Sequence, residues 1–108
     1  MDSDLYDNLK LELRRGSLVL AVLASLRNEE YGYTLRQSLA DFGIAIDQSA
    51  LYPMLRRLES QGLLHSKWRE EDNRNKRFYR ISRAGEEILS QLVEEWRQMN
   101  TSLQRILK

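Results

Sequence analysis

The chain has 108 residues, 42% of them hydrophobic and 31% charged, which is enough for one folded core and is not the composition of a disordered segment. It contains no cysteine, which excludes disulfides and cysteine-ligated zinc. Its one histidine, His65, leaves few residues from which a histidine-based triad or metal site could be built. No apolar run reaches the roughly 18–20 residues of a membrane span, and Met1–Asp7 is acidic where a signal peptide is basic. We therefore expect a cytoplasmic protein.

The net charge of +1 is unevenly distributed. Residues 49–83 contain nine Lys or Arg and four Asp or Glu, so the rest of the chain has a net negative charge. A basic segment in an acidic domain is typical of a surface that binds a polyanion, although a solvated charged surface can have the same composition. The position of these charges in the fold decides between the two interpretations.

The N-terminal part of the chain predicts two helices. Leu5, Leu9 and Leu13 form one stripe of a short helix, and Gly16 weakens its continuation. Residues 18–26 are nearly all apolar and predict a second helix that is buried on most sides. This second helix is the expected centre of the core.

A helix-turn-helix pattern follows. Residues 33–42 have the helical period, and this helix stops at Gly43. A further helix begins near Ser49, because Pro53 is tolerated only in a first turn, and this second helix ends at Gly62. Each helix has about three turns, and a short connection containing glycine joins them. The apolar positions that set the period are Leu35, Leu39 and Phe42 in the first helix and Leu51, Met54, Leu55 and Leu58 in the second.

The chain then changes to the period of a strand. Residues 64–69 alternate in polarity, residues 78–81 are aromatic and β-branched, and the segment 70–76 between them is wholly polar. Asn73 and Asn75 can take the left-handed turn conformation in place of glycine. A helix-turn-helix followed by a two-stranded hairpin is a winged helix, so the sequence predicts a mainly α fold with a small β-wing.

The last segment predicts a long helix that begins at a Ser82 cap. Its apolar residues alternate steps of three and four, which is the spacing of a coiled-coil seam. An amphipathic helix packed on its own domain has a similar pattern, but a helix of about seven turns extends far beyond such a domain and needs a second apolar surface. We therefore expect a DNA-binding unit at residues 1–81 and a dimerisation helix at 82–108. The expected dimer interface contains Leu5, Leu9, Leu89, Leu92, Trp96, Met99, Leu103 and Ile106.

Five runs of residues in this part of the sequence form a distinctive set: Tyr31-Gly32-Tyr33, Leu51-Tyr52-Pro53-Met54-Leu55-Arg56-Arg57-Leu58-Glu59, Gly62-Leu63-Leu64, Arg77-Phe78-Tyr79-Arg80-Ile81 and Ala84-Gly85. These runs resemble those of PadR-type transcriptional regulators. The resemblance extends from about Arg14 to Trp96, and the chain ends like the short branch of that family, with a single C-terminal helix. Ala50 stands where the family often has glycine, and the wing tip lacks the family's usual glycine and proline.

The resemblance implies a bacterial or archaeal homodimer, usually a repressor, that releases its operator when a small molecule or another signal arrives. In such a dimer two winged helices lie on one face of a duplex, and the helix that starts near Ser49 enters the major groove of a roughly palindromic operator. Helix termini, hydroxyls and cations of the wing would contact bases and phosphates. The expected DNA contacts are Tyr33, Thr34, Gln48, Ser49, Tyr52, Arg56, Arg57, Arg74, Lys76 and Arg77.

Some of these side chains also have a purely structural interpretation. Tyr52 can be a packing residue whose hydroxyl meets water. One of Arg56 and Arg57 can reach phosphate while the other pairs with Glu59 or another nearby acid. His65 is expected to be exposed and without chemistry.

The resemblance also implies an effector. In multidrug-sensing members of the family, two tryptophans of the last helix stack a flat aromatic ligand, and Trp96 is the matching residue here, with Met99 and Asn100 as further lining residues. A tryptophan at a seam position is more often part of the interface core, and both interpretations stay open.

Two other classes of function were weighed. An enzyme would have to use Asp47, Ser49 and His65 as a triad, but no oxyanion motif, phosphate-binding loop or metal motif accompanies them, so we expect no enzyme and no cofactor. A winged-helix protein-interaction module without DNA binding is the alternative, and it does not need Arg74, Lys76 and Arg77 together in the wing.

Overall fold

The computed structural model describes residues 3–108, and Met1 and Asp2, which begin the predicted unit 1–81, lie outside the described residues. The described chain is mostly helical and contains one antiparallel sheet with the strand order β1-β3-β2. This confirms the predicted fold class. The elements are α1 (Ser3–Ser25), β1 (Glu30–Tyr31), α2 (Gly32–Asp41), α3 (Gln48–Ser60), β2 (Leu64–Glu71), β3 (Arg74–Ile81) and α4 (Arg83–Ile106).

One hydrophobic core joins all the helices to the sheet. It lies where the second half of α1, the inner faces of α2 and α3, the base of the wing and the first turns of α4 meet. Burial of these aliphatic side chains is the main stabilising contribution. The fully buried side chains are Val22, Leu23, Leu26, Leu35, Leu39, Leu51, Leu55, Leu64 and Leu89.

The prediction of two separate N-terminal helices is wrong, because α1 continues through Gly16. A glycine inside a helix is less favourable than alanine by only about 1 kcal/mol. A Cβ at Gly16 would meet nothing within 4 Å, so this glycine has no packing role. Val22 and Leu23 anchor the same helix in the core, and this packing outweighs one unfavourable residue.

The helix-turn-helix is present, with one difference in its packing. Gly43 has a φ of 84° and ends α2 by donating its N–H to the carbonyl of Ala40 at 2.9 Å. Phe42, predicted to lie on the apolar stripe, is 85% exposed. The helix already ends at Asp41, so the ring of Phe42 leaves the buried face.

The wing has three strands instead of the predicted two, and a tighter turn. Glu30, at the end of a predicted polar connection over residues 27–30, pairs with Tyr79 of β3, and Tyr31, expected at the opening of the next helix, pairs with Phe78. The strands β2 and β3 continue to a two-residue turn in which Asp72 and Asn73 have φ values of 54° and 63°. These are the angles of the hairpin turn that matches the twist of antiparallel strands.

Asn75, predicted as a left-handed turn residue, therefore lies in β3, opposite Glu70.

The start of α4 is fixed to the winged helix. The hydroxyl of Ser82 accepts a hydrogen bond from the N–H of Gly85 at 3.0 Å, which confirms the predicted cap, and donates one to the carbonyl of Gly62 at 2.7 Å. Gly85 is required by close approach, because a Cβ there would lie 2.2 Å from the carbonyl oxygen of Leu63. The first turns of α4 thus pack with residues of the predicted unit 1–81.

Two helical segments extend from this core. The radius of gyration is 15.7 Å, whereas a compact chain of about 100 residues has about 13 Å. Residues 3–17 of α1 and 94–106 of α4 contain almost no buried side chain. We call these two segments the helical arms.

Candidate nucleic-acid interface

The helix α3 presents a polar face to solvent. Its other face carries Leu51, Met54, Leu55 and Leu58 into the core, so Ser49 and Arg56 remain exposed and Tyr52 is half-buried. Arg57 is exposed as well. A helix held by one apolar stripe and presenting hydroxyl and guanidinium groups outward can enter a DNA major groove.

The N-terminus of α3 contains a small polar cluster. The hydroxyl of Ser49 donates a hydrogen bond to a carboxylate oxygen of Asp47, and this bond lowers the pKa of Asp47 from its ordinary value. Arg36 of α2 donates to the amide oxygen of Gln48 at 3.3 Å, and its buried Nε has no partner among the described residues. Sequence reasoning missed Arg36, because nothing in its spacing shows that it reaches the start of α3.

The ring of Tyr52 in α3 packs on the first residue of α2. Its ring lies over Gly32, where a Cβ would come within 2.3 Å of the ring. This contact explains why glycine stands between Tyr31 and Tyr33 in the sequence. Tyr33 is exposed, and its hydroxyl accepts a hydrogen bond from Gln37 at 2.9 Å.

Thr34, also expected at DNA, uses its hydroxyl to donate to the carbonyl of Tyr31 at 3.0 Å. This bond stabilises the first turn of α2. The hydroxyl of Thr34 is therefore already satisfied within the chain.

The three cations predicted for the wing differ in their surroundings. Arg74 at the hairpin tip is exposed and has no ion pair among residues 3–108. The side chain of Lys76 is only 18% exposed, with Nζ 3.8 Å from Glu71, 3.9 Å from Asp72 and 4.6 Å from the ring centre of Tyr31. Position in the basic segment therefore does not by itself make a side chain free to contact DNA.

Arg77 is the most strongly engaged of the three. Its Nη2 donates to Oε1 of Glu59 at 2.8 Å and its Nε donates to the hydroxyl of Ser66 at 3.0 Å. Glu59 therefore pairs with Arg77 of the wing and not with either neighbouring arginine of α3, which answers the alternative left open for Arg56 and Arg57.

A cleft of about 460 Å³ separates α3 from the wing. Tyr52 and Arg56 line it on the side of α3, and Trp68 and Arg77 line it on the side of the wing. Trp68 is 63% exposed, and its ring centre lies 5.6 Å from the guanidinium of Arg77. Sequence reasoning missed Trp68 as a surface residue, although its alternation with charged neighbours in β2 was a usable signal.

Most of the predicted dimer residues are exposed on the helical arms, but Leu89 is not. Leu89 is fully buried in the core of its own chain, so it is not part of the exposed stripe. The expected interface residues that are exposed are Leu5, Leu9, Leu92, Trp96, Met99, Leu103 and Ile106.

Trp96 lines a second cleft, between α1 and α4, together with Leu20, Ala24, Ile44 and Val93. Its volume is about 460 Å³. Met99 and Asn100, expected as further ligand-lining residues, do not line this cleft within one chain.

The fold and these surfaces define a winged helix-turn-helix protein. The chain matches the model of the transcriptional regulator PadR-like family over residues 19–91. It is 42% identical to a PadR family transcriptional regulator from Eggerthella lenta, with a TM-score of 0.91 and coverage of 97% of this chain and 94% of that one. It is 38% identical over 81 residues to a transcriptional regulator of Mycobacterium tuberculosis, covering 74% of this chain and 76% of that protein.

A PadR-like transcription factor from Bacteroides fragilis has a TM-score of 0.77 at 27% identity, over 92% of this chain and 98% of that one. The chain belongs to the PadR-like family of transcriptional regulators. This membership confirms the resemblance and the interpretation that the chain is a regulator and not an enzyme. None of the helices in residues 3–108 combines the length and the apolar character needed to cross a bilayer.

Proposed function

We propose that the chain is a sequence-specific DNA-binding repressor that acts in the cytoplasm as a homodimer on a roughly palindromic operator. The observation that carries the proposal is the cleft between α3 and the wing, because side chains of both elements line it. A helix in a major groove and a hairpin in the adjacent minor groove have one sugar-phosphate backbone between them. The cleft is the place where that backbone would pass.

The expected DNA contacts differ in their exposure and in their contacts within the chain. Ser49, Gln48 and Arg56 are exposed on α3 and would reach bases or phosphates directly, and Arg57 would reach the flanking backbone. On the wing, Arg74 is the side chain best placed to contact phosphate or the minor groove, because it is exposed and unpaired within the described chain. The remaining expected contacts are Tyr33, Thr34, Tyr52, Lys76 and Arg77. The side chains of Tyr33, Thr34, Lys76 and Arg77 already have polar partners within the chain, and the ring of Tyr52 rests on Gly32, so they are weaker candidates for a direct DNA contact.

The homodimer is supported by the helical arms. Their apolar side chains are 41–78% exposed in the described chain, and a two-fold pair of arms would bury them further. The same pairing would place two α3 helices at a fixed spacing, as a palindromic operator requires.

A salt titration tests DNA binding. Binding of the DNA upstream of the chain's own gene is compared with binding of a shuffled fragment of equal composition, by fluorescence anisotropy at several salt concentrations. We expect tighter binding of the upstream fragment and a steep loss with salt, because neutralised phosphates release counterions. Equal binding of both fragments at moderate salt would contradict the proposal and favour the protein-interaction module.

Single-charge variants localise the contact. Arg74→Gln should reduce the slope of log affinity against log salt by about 1.8, because each lost phosphate contact contributes about 0.9 and the dimer has two wings. Lys10→Gln, on the arm of α1, removes the same charge far from the cleft and should leave the slope unchanged. Equal slopes for both variants would exclude Arg74 as a phosphate contact.

We further propose that the cleft beside Trp96 binds a flat, apolar effector that weakens operator binding. Its walls are mostly aliphatic, and an indole face adds stacking to the burial of an aromatic ligand. In a dimer, Met99 and Asn100 of the neighbouring turn could complete the site. Trp68→Phe leaves Trp96 as the sole tryptophan, so a panel of planar cationic and phenolic compounds should quench its fluorescence, and the absence of quenching would contradict the effector site.

A further inference from the structure

Three side chains from three elements form a closed ring of hydrogen bonds between α3 and the wing. Arg77 of β3 donates to Glu59 of α3 at 2.8 Å and to Ser66 of β2 at 3.0 Å, and the Ser66 hydroxyl donates to the other carboxylate oxygen of Glu59. We call these residues, Glu59, Ser66 and Arg77, the wing ring. Each of the two carboxylate oxygens of Glu59 therefore accepts a hydrogen bond from a side chain of the wing.

The wing ring is partly removed from solvent. The side chains of Arg77 and Glu59 are 35% and 26% exposed, so water screens their attraction less than it screens an ion pair on an open surface. The guanidinium of Arg77 also makes cation–π contacts, 5.6 Å from the ring centres of both Trp68 and Tyr79. Burial raises the pKa of Tyr79, in keeping with an enclosed setting.

This geometry conflicts with a role of Arg77 as a phosphate ligand. A guanidinium that gave up Glu59 for a phosphate would leave this partly buried carboxylate with the Ser66 hydroxyl as its remaining partner and close to the DNA backbone. Loss of the cation is unfavourable for a partly buried carboxylate, and repulsion by phosphate adds to the penalty.

We propose that Arg77 is a positioning residue, and that Glu59, although negatively charged, is required for tight operator binding because it holds the wing at a fixed distance from α3. The inference rests on the proposed DNA-binding function. In this proposal, the wing ring sets the width of the cleft through which the DNA backbone would pass.

The proposal predicts that removal of the negative charge of Glu59 weakens DNA binding, which is the opposite of the usual effect. An acidic residue near DNA normally repels phosphate, so its neutralisation strengthens binding. Glu59→Gln keeps the shape of the side chain but weakens the bonds to Arg77 and Ser66, and we expect it to weaken operator binding on the order of fivefold. Glu70→Gln removes the same charge from the exposed part of β2 and should leave binding equal or tighter.

The dependence on salt separates positioning from phosphate contact. Arg77→Gln should weaken binding while leaving the slope of log affinity against log salt unchanged, whereas Arg74→Gln should reduce that slope by about 1.8 for the two wings of the dimer. Tighter binding by Glu59→Gln, or a slope reduced by Arg77→Gln, would overturn the proposal. Far-ultraviolet circular dichroism of each variant confirms that it is folded.

Amide hydrogen exchange of the free protein supplies a readout that does not depend on DNA. Glu59→Gln should accelerate exchange in β2 and β3 beyond the base of the wing and leave α1 unchanged, because only the wing is released. Glu70→Gln should leave β2 and β3 protected. If the wild-type chain shows no preference for any DNA, the proposed function fails, and unchanged exchange in Glu59→Gln would separately refute the wing ring as a restraint.

Discussion

The winged-helix core and the helical arms differ in how completely their apolar side chains are buried. In the core, the leucines of α2, α3 and the wing base are essentially inaccessible to solvent, and Ser82 and Gly85 fix the start of α4 by specific contacts. In the arms, Leu103 and Leu9 are 41% and 55% exposed although their spacing is as regular as that in the core.

The difference shows which part of the molecule is complete in one chain. The apolar side chains of the core are buried within one chain. The arms have the pattern of a buried surface without the burial, and large exposed apolar surfaces mark contact sites. In the proposed function, the core would read DNA and the arms would form the dimer.

Substitution in the arms gives the largest expected effect. Leu103→Asp places a charge on the exposed stripe of α4 and should convert the dimer to a monomer, with operator affinity lower by about 100-fold or more, because each half-site is then bound alone. Sedimentation velocity and anisotropy measure the two changes. Gln104→Asp adds the same charge on the adjacent polar position and should remain dimeric. A Leu103→Asp protein that stays dimeric would refute the role of the arms.

A pair of glycines tests the contrast between core and arm at the level of stability. Gly85→Ala forces a Cβ against the backbone of Leu63 and should lower the free energy of unfolding by about 1–3 kcal/mol. Gly16→Ala adds a methyl group in open space within α1 and should raise it by about 0.5–1 kcal/mol. Urea denaturation at equal protein concentration measures both. Equal midpoints for the two variants would show that the close approach at Gly85 is not tight.

The smallest expected effect concerns the start of α3, at the edge of the core. The Ser49 hydroxyl lowers the pKa of Asp47 below 3.8, so the contact stabilises the fold above that pH and the contribution is lost as the pH falls through the lowered value. In an NMR titration, Ser49→Ala should move the midpoint of Asp47 upward toward 3.8. Ser60→Ala, at the other end of α3, should leave it in place. A midpoint of Asp47 that does not respond to Ser49→Ala would contradict the contact.

Local patterns predicted the helix-turn-helix, the hairpin and the cap at Ser82, because each depends on the period of a few residues or on one turn. The continuous α1 and the strand β1 were not predictable in this way. The core holds α1 together despite Gly16, and β1 exists only because β3 lies beside it. Both depend on contacts between residues far apart in the chain.

The candidate site shows the same limit. Charge counting identified the basic segment, but it assigned Arg74, Lys76 and Arg77 one common role. Only the folded chain shows that Glu59 reaches Arg77 across 18 positions, and that Tyr52 rests on Gly32. The sequence contains the residues of the wing ring without any local sign that they meet.

The central claim is that two copies of the chain read one duplex symmetrically with α3 and the wing. Repeated selection of bound DNA from a random-sequence library, followed by sequencing, tests it most directly. The account predicts an enriched palindrome whose half-site centres are separated by about 10 base pairs or a multiple of that number. Enrichment of an asymmetric sequence, or of none, would contradict it.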